Sequence, residues 1–418
     1  MIRYFTVSLF LLGLLLFFIS PIHAQNTSFV KVDDHARNTP TEFTSNTSLL
    51  ANYLTSPFHT EIEKARAIFT WITDNIAYDS SSFFAGRIQP SDPKITLNQR
   101  KATCGGYSAL FYELAGLAGL EAVIIRGHSK GYGFDPMTDS FTSNHEWNAV
   151  KIDGYWKLLD TTWGAGAISH EDGTFIKRFE DFFFLTNPQH LIHTHFPEDS
   201  SWQLLHPPVS LDHYKQLVNV KPGFFAHQLT LESHKNAIID LTYESSISLG
   251  VPENQVLTAR LSRGGSELPI NQVLVQHIGN RAVIELNPPQ RGSYELEIFA
   301  KQSNREGAFS KVLSYTIKNN RETADSGFPE TFGRFLMQRG NVETPITYVV
   351  PAGEEILFSL RIPGAKSVSV VNGDTWTDLT KNGDHFSGIV HTKPGLIQVA
   401  GSFENDDKYS VLLEYQAR

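Results

Sequence analysis

Between His59 and Asp79 the segment HTEIEKARAIFTWITDNIAYD places apolar residues at Ile62, Ala65, Phe69, Ile72 and Ile76, stepping by three and four. That spacing predicts a helix with one apolar face. Thr60, followed three residues later by Glu63, supplies a capping box for the orphan amides at its start. After the polar stretch QPSDPK a second helix is predicted to begin around Cys104. Its stripe is Tyr107, Leu110, Leu114 and Leu117, and Gly119 stands where a left-handed cap closes such a helix. EAVIIRG, rich in β-branched residues, follows as a strand.

In HEWNAVKIDGYWKLLDTTWG two alternating stretches flank Asp153-Gly154, the signature of a two-residue hairpin turn. The register follows by arithmetic: Ile152 opposite Tyr155, Ala149 opposite Leu158, Trp147 opposite Asp160. Residues two apart share a face, so His145, Trp147 and Asp160 point the same way. His145 and Asp160 become diagonal neighbours about 7–8 Å apart at the backbone, within side-chain reach.

Beyond about Tyr214 the helical stripes stop. Short alternating segments such as NAIIDLTY, AVIELN, SYELEIFAK and KVLSYTI are punctuated by turn residues at the spacing of a β-sandwich. The polar KNNRETADSG reads as a linker, and a second β region (ITYVV, EILFSLRI, SVSVV, LIQVAGSF, YSVLLEYQ) runs to the end. Both regions close with a glycine-led strand and a final alternating one, the mark of two related modules. The expected organisation is a leader over 1–24, an α+β domain over 25–215, sandwich-like domains over 216–318 and 329–418, and a linker over 319–328.

The leader rests on one basic residue before an apolar run from Tyr4 to Ile19, then SPIHAQ with a cleavage point after Ala24. The run is shorter than the roughly 20 apolar residues of a membrane span, which points to export to the periplasm or medium and to no membrane attachment after cleavage. An uncleaved N-terminal anchor is the alternative. The formal net charge of −9 and the lack of a Lys/Arg cluster exclude a nucleic-acid partner. Exported proteins usually pair their thiols, yet this chain of 418 residues has a single cysteine, Cys104.

A lone cysteine is by default a small buried hydrophobe. Cys104 has a second reading, because a thiol in the opening turn of a helix gains from its free amides and dipole. Gly105 and Gly106 would leave the backbone there open to a substrate carbonyl, and the Cys104 amide would help hold an oxyanion. His145 would be the base and Asp160 the group that orients it, the nucleophile–base–orienter logic of a triad.

The same residues resemble a known family. RKATCGGYSALFYELAGLAGLEAVIIRGH is similar to the cysteine segment of the transglutaminase-like superfamily, and HEWNAVKIDGYWKLLDTTWG to its histidine and aspartate strands. FVKVDDHARNTP, ARAIFTWITDNIAYD and LTNPQHLIHTHFPEDSSWQLL resemble segments of the kyphoscoliosis-peptidase type. The resemblance implies a papain-like α+β core, its cysteine-bearing helix packed on an antiparallel sheet, with Cys104, His145 and Asp160 as catalytic triad. Taken with the leader, the expected protein is an exported cysteine peptidase or amidase working through an acyl-enzyme, without cofactor or metal, on a protein, peptide or peptidoglycan-type substrate. A crosslinking transglutaminase with the same triad and a non-catalytic scaffold are the alternatives. The β domains would bind a protein or polysaccharide partner.

Other residues draw blander readings. Gln99, the nearest upstream side-chain donor, reads as a loop residue. His190, His193 and His195 lie close together but match no zinc spacing, and read as packing in an irregular loop at the domain's edge. His128, at a strand end, is passed over as base because His145 alone shares a predicted face with a carboxylate. Of the tryptophans, Trp163 beside Gly164 is the best candidate for a cleft wall, while Trp71, Trp147, Trp156 and Trp202 read as core aromatics.

Overall fold

The computed structural model describes residues 29–87, 91–242, 246–321, 326–403 and 406–418. The leader read over 1–24 lies outside them, as do residues 322–325 of the linker.

The first domain opens with helices α1 (Val30–Arg37), α2 (Thr47–Thr55) and α3 (Glu61–Asn75). The capping box at Thr60 and Glu63 forms with both reciprocal bonds. α3 is more than an amphipathic helix: every residue from Ala65 to Thr73 is buried. It is the central post, packed by α1, α2 and two later helices. Its interior polar groups are therefore all spoken for. Arg66 forks onto Asp33 of α1 at 2.7 and 2.8 Å and also reaches Asp181. Rings of Phe29, Phe179 and Phe184 lie about its guanidinium at 4.9, 5.1 and 4.9 Å. Thr70 donates to the same Asp33 at 2.7 Å. This buried pair is what straps the FVKVDDHAR segment to the core.

After α3 come strand β1 (Ala77–Tyr78), α4 (Ser80–Phe84), α5 (Pro93–Gln99), β2 (Lys101–Ala102) and α6 (Cys104–Leu117). Gln99 is the last residue of α5 and not a loop residue. β1 and β2 pair in parallel, Tyr78 opposite Ala102. α6 ends in a Schellman motif: Leu120 N–H donates to the Ala115 carbonyl at 2.9 Å and Gly119 N–H to Gly116 at 3.0 Å, with Gly119 at φ +77°. Tyr107, Leu110 and Leu114 are buried as the stripe requires, but Leu117 in the last turn is exposed.

The sheet behind α6 is antiparallel, built from β3 (Ala122–Ser129), β4 (His145–Ile152) and β5 (Tyr155–Leu159) with a fourth, later strand added at the edge of β3. The hairpin has the predicted register, Ile152 opposite Tyr155 and Ala149 opposite Leu158. Asp153 and Gly154 both take positive φ (48° and 82°), as the tight turn demands. The chain continues through α7 (Thr161–Ala165), the small hairpin β6 (Gly166–Ile168) and β7 (Phe175–Lys177), and β8 (His195–Pro197). β8 runs beside β3 with His195 opposite Ser129.

Two β-rich units follow, each with its own cluster of buried apolar side chains. In the first, Ile238–Leu241, Ser310–Asn319, Gly292–Gln302 and Gln255–Arg263 make one sheet, faced by Ser246–Gly250, Arg281–Leu286 and Val273–Ile278. The second repeats this strand order with Val349–Val350, Asp406–Ala417, Gly395–Phe403 and Ala365–Asn372 facing Glu355–Arg361, His385–His391 and Thr380–Asn382. In both, a short strand joins the last one in parallel. The two units are the same topology built twice. The whole is an α+β core, its cysteine-bearing helix packed on an antiparallel sheet, followed by two β-sandwich units.

Candidate active site

Cys104 is the first residue of α6, half-buried, and its N-cap Thr103 makes no side-chain cap bond. The positive end of the helix is left for the thiol. The two glycines after it do not open the backbone to substrate. Both are buried, and a Cβ on Gly105 would fall 2.5 Å from Ser91 Oγ, one on Gly106 2.5 Å from the Ala102 side chain. They let α6 press against α5 and β2, which fixes the height at which Cys104 emerges.

His145 begins β4, and Asp160 follows β5 as the N-cap of α7. The imidazole donates Nε2–H to Asp160 Oδ2 at 2.7 Å. That leaves Nδ1 free of Asp160, and Cys104 is near enough to add to the forces that keep the ring charged. Asp160 is fully buried and carries four donors: Oδ2 also accepts from His195 Nε2 at 3.1 Å, and Oδ1 accepts the amides of Thr162 at 2.7 Å and Trp163 at 3.0 Å. The strand end thus doubles as a helix start, and the amides of α7 hold the carboxylate still. Burial alone would push the Asp160 carboxyl up; His145 and His195 hold it well below the usual carboxylate range. Burial likewise opposes a charged His145, but Asp160, with Cys104 adding to it, wins and raises its pKa to about 10.

His195 is the residue that sequence patterns missed. It belongs to strand β8 rather than an irregular loop, it is buried, and it joins the same carboxylate oxygen as His145. Burial lowers its pKa, and the nearby charge of His145 adds to that against the pull of Asp160. His195 is therefore a neutral clamp, its Nδ1 facing the Thr194 hydroxyl at 2.8 Å. His190 and His193 stay outside the cluster; His193 meets the Val218 carbonyl at 3.1 Å. The ligand atoms of His145, Asp160 and His195 lie within 4.8 Å of one another. Both N–H groups already point at one oxygen, so a cation would have to displace both.

Tyr78 is a second residue without a sequence signal. Its strand runs beside the one leading into Cys104, and its ring lines the same cavity as His145. Its hydroxyl has no hydrogen bond among the described residues. Burial first, then the nearness of Cys104 and Asp160, keep the phenol protonated far above its ordinary value. The cavity, about 390 Å³, also has Trp163 in its wall, as the Trp-Gly pair promised. Trp71 and Trp147 are core, and Trp156 packs edge-on against Trp202 at 5.1 Å.

His128 does have a carboxylate, contrary to the expectation that only His145 would. Its Nε2 meets Asp139 at 2.9 Å and its Nδ1 the Tyr214 hydroxyl at 2.9 Å. The partner comes from a loop, which no strand register could foresee.

Residues 49–161 match the transglutaminase-like superfamily, and residues 211–330 match the KY-like, immunoglobulin-like domain. The chain is 32% identical over 273 residues to the kyphoscoliosis peptidase of Mus musculus, covering 65% of this chain and 40% of that one. It is 33% identical over 231 residues to the Lim and transglutaminase domain protein ltd-1 of Caenorhabditis elegans, covering 52% and 31%. Hillarin of Drosophila melanogaster is 27% identical over 307 residues, covering 67% and 37%. The chain thus spans less than half the length of these curated relatives. It contains a transglutaminase-like domain with a KY-like immunoglobulin-like domain after it.

Proposed function

We propose that this protein, whose transglutaminase-like domain bonds His145 to Asp160 and brings Cys104 near enough to act on the same imidazole, is a thiol-dependent acyl-transfer enzyme, a cysteine peptidase or amidase. The observation that carries the reading is the fully buried, four-donor Asp160 bonded to His145, whose charge Cys104 also favours. A scaffold has no use for a carboxylate held so completely in register with an imidazole and a thiol.

In the proposed cycle, Cys104 Sγ attacks the substrate carbonyl while its proton resides on His145. The Cys104 amide, with the Tyr78 hydroxyl on the cleft side, stabilises the oxyanion. His145 passes its proton to the leaving amine as the C–N bond breaks, giving a thioester. Water then attacks the thioester, surrendering a proton to His145, and the acid leaves as the thiol is restored. An amine in place of water would make the enzyme a crosslinker.

The test is the alkylation rate of Cys104 by iodoacetamide across pH, in the parent and in His145→Ala. Fast alkylation that persists well into the acid range and is lost in the variant supports the reading. Slow alkylation that the variant leaves unchanged overturns it. Export of the chain is proposed with it, supported by the apolar run from Tyr4 to Ile19; cell fractionation that finds the protein only in the cytoplasm would end that part.

A further inference from the structure

The cavity that His145 lines does not end within the transglutaminase-like domain. Its wall continues into Val220, Lys221, Pro222 and Phe225 of the first β-rich unit. An aromatic path leads there from the proposed base. His145 meets Trp163 at 5.8 Å, Trp163 meets Phe183 at 5.4 Å, Phe183 meets Phe182 at 5.1 Å, and Phe182 stacks on Phe225 at 5.5 Å and 8°. Phe225 also stacks on His190 at 3.9 Å.

This wall is fixed. Lys130, fully buried, donates to the carbonyls of Tyr214 at 2.8 Å and Leu217 at 2.6 Å. His193 holds the Val218 carbonyl, and Lys221 N–H donates to Val312 at 2.8 Å. The segment entering the second domain is sewn to the first on one side and to its own sheet on the other. A rigid wall can discriminate between ligands in a way that a mobile tether cannot.

The charges around the cavity are matched, with one exception. Lys130 is capped by its two carbonyls, Asp139 is engaged by His128, and Arg178 pairs with Glu180 at 3.5 Å. Lys311, near Lys221, is occupied by Glu297 at 2.5 Å. Lys221 alone of these has no side-chain hydrogen bond and no ion pair among the described residues, although it is half-buried. Burial, with Lys311 adding like charge, pushes its pKa down to about 8. A half-buried ammonium that lines a cavity and has no protein acceptor among the described residues is one that an anionic ligand can pair.

The structure assigns Lys221 as the anion-recognising residue of the cleft, and with it the substrate class: an acyl donor with aromatic or apolar groups near the scissile carbonyl and a carboxylate beyond them, towards the immunoglobulin-like domain. This rests on the thiol acyl-transfer reading. It makes that domain part of the specificity site.

Two matched sets of acetylated hexapeptide amides with a central phenylalanine provide the probe. One has the flanking positions randomised over Glu and Gly, the other over Gln and Gly. Cleavage is followed in the parent, Lys221→Met and Lys221→Glu, each checked for an unchanged melting temperature. Binding of the same sets is measured to Cys104→Ala with and without Lys221→Met. The expected result is a kcat/KM ratio of Glu set to Gln set of about tenfold or more in the parent, near one in Lys221→Met, and inverted in Lys221→Glu. Cleavage without a Glu preference in the parent overturns the assignment and leaves the thiol reading standing. No cleavage, but Glu-set binding to Cys104→Ala that Lys221→Met abolishes, upholds the anion site and removes the hydrolase reading. Neither cleavage nor Lys221-dependent binding overturns the assignment.

Discussion

Two histidine–carboxylate pairs sit on neighbouring strands of one sheet and titrate in opposite directions. His145 on β4 meets Asp160 at 2.7 Å; His128 on β3 meets Asp139 at 2.9 Å, and both imidazoles are buried. Burial works against both charges. At His145 it loses, because Asp160 is wholly shielded from water and has its charge fixed by four donors. At His128 it wins and the pKa falls: Asp139 keeps 19% of its side-chain surface and comes from a loop, while Lys130 adds a repelling charge. A short contact to a carboxylate does not by itself make a base. What decides is how completely the carboxylate is deprived of water and how well its own charge is held.

The largest break in this comparison is at the imidazoles. His145→Ala should lower kcat/KM on an amide substrate by at least about 10³-fold. His128→Gln should change it by less than about threefold while costing about 1–3 kcal/mol in urea unfolding. Equal losses in both variants would mean that the two pairs share one task.

The next break is at the carboxylate. Asp160→Asn keeps the shape but must turn an N–H₂ group towards one of its donors, and kcat should drop by about 10³-fold. His195→Gln removes a clamp without touching the substrate. A loosened carboxylate should cost about 10- to 100-fold in kcat with KM little changed. A rise in KM instead would make His195 a substrate contact.

Titration sharpens the contrast without mutation. The folded-state pKa of His145 is raised from 6.5 to about 10, so the stability it contributes is whole below about pH 6.5 and is lost as pH rises through about 10. His128 is lowered, so its contribution is whole above 6.5 and is lost as pH falls below that value. Proton NMR of the imidazole C–H signals should find His145 charged and His128 neutral at pH 7. The reverse order would refute the electrostatic account. The smallest effect is at Tyr214→Phe, which leaves His128 Nδ1 without its hydroxyl: about 1 kcal/mol of stability, with Cys104 alkylation unchanged.

Much of this site is readable from local rules. The Asp-Gly turn sets the hairpin register, and the register brings His145 to Asp160. The start of α6 at Cys104, the capping box at Thr60 and the glycine cap at Gly119 each depend on residues within a turn or two. His195 escaped because its strand joins the far edge of β3, 35 residues beyond Asp160, and no pattern within His-Leu-Ile-His-Thr-His says which edge it will choose. Gly105 and Gly106 were misread because the atoms they make room for belong to Ser91, Thr96 and Ala102. The all-round burial of α3 likewise depends on partners that its own period does not reveal.

Local patterns along the chain carried the elements, the hairpin register and the repeated sandwich pattern, and pointed to the three residues of the proposed triad, because hydrogen bonding and side-chain alternation act over a few residues. The fourth donor to Asp160, the carboxylate at His128 and the wall that the immunoglobulin-like domain adds to the cleft were set by long-range packing. Those depend on which buried charge finds which partner across tens of residues, and on how far water is driven from each, quantities that exist only once the core has closed.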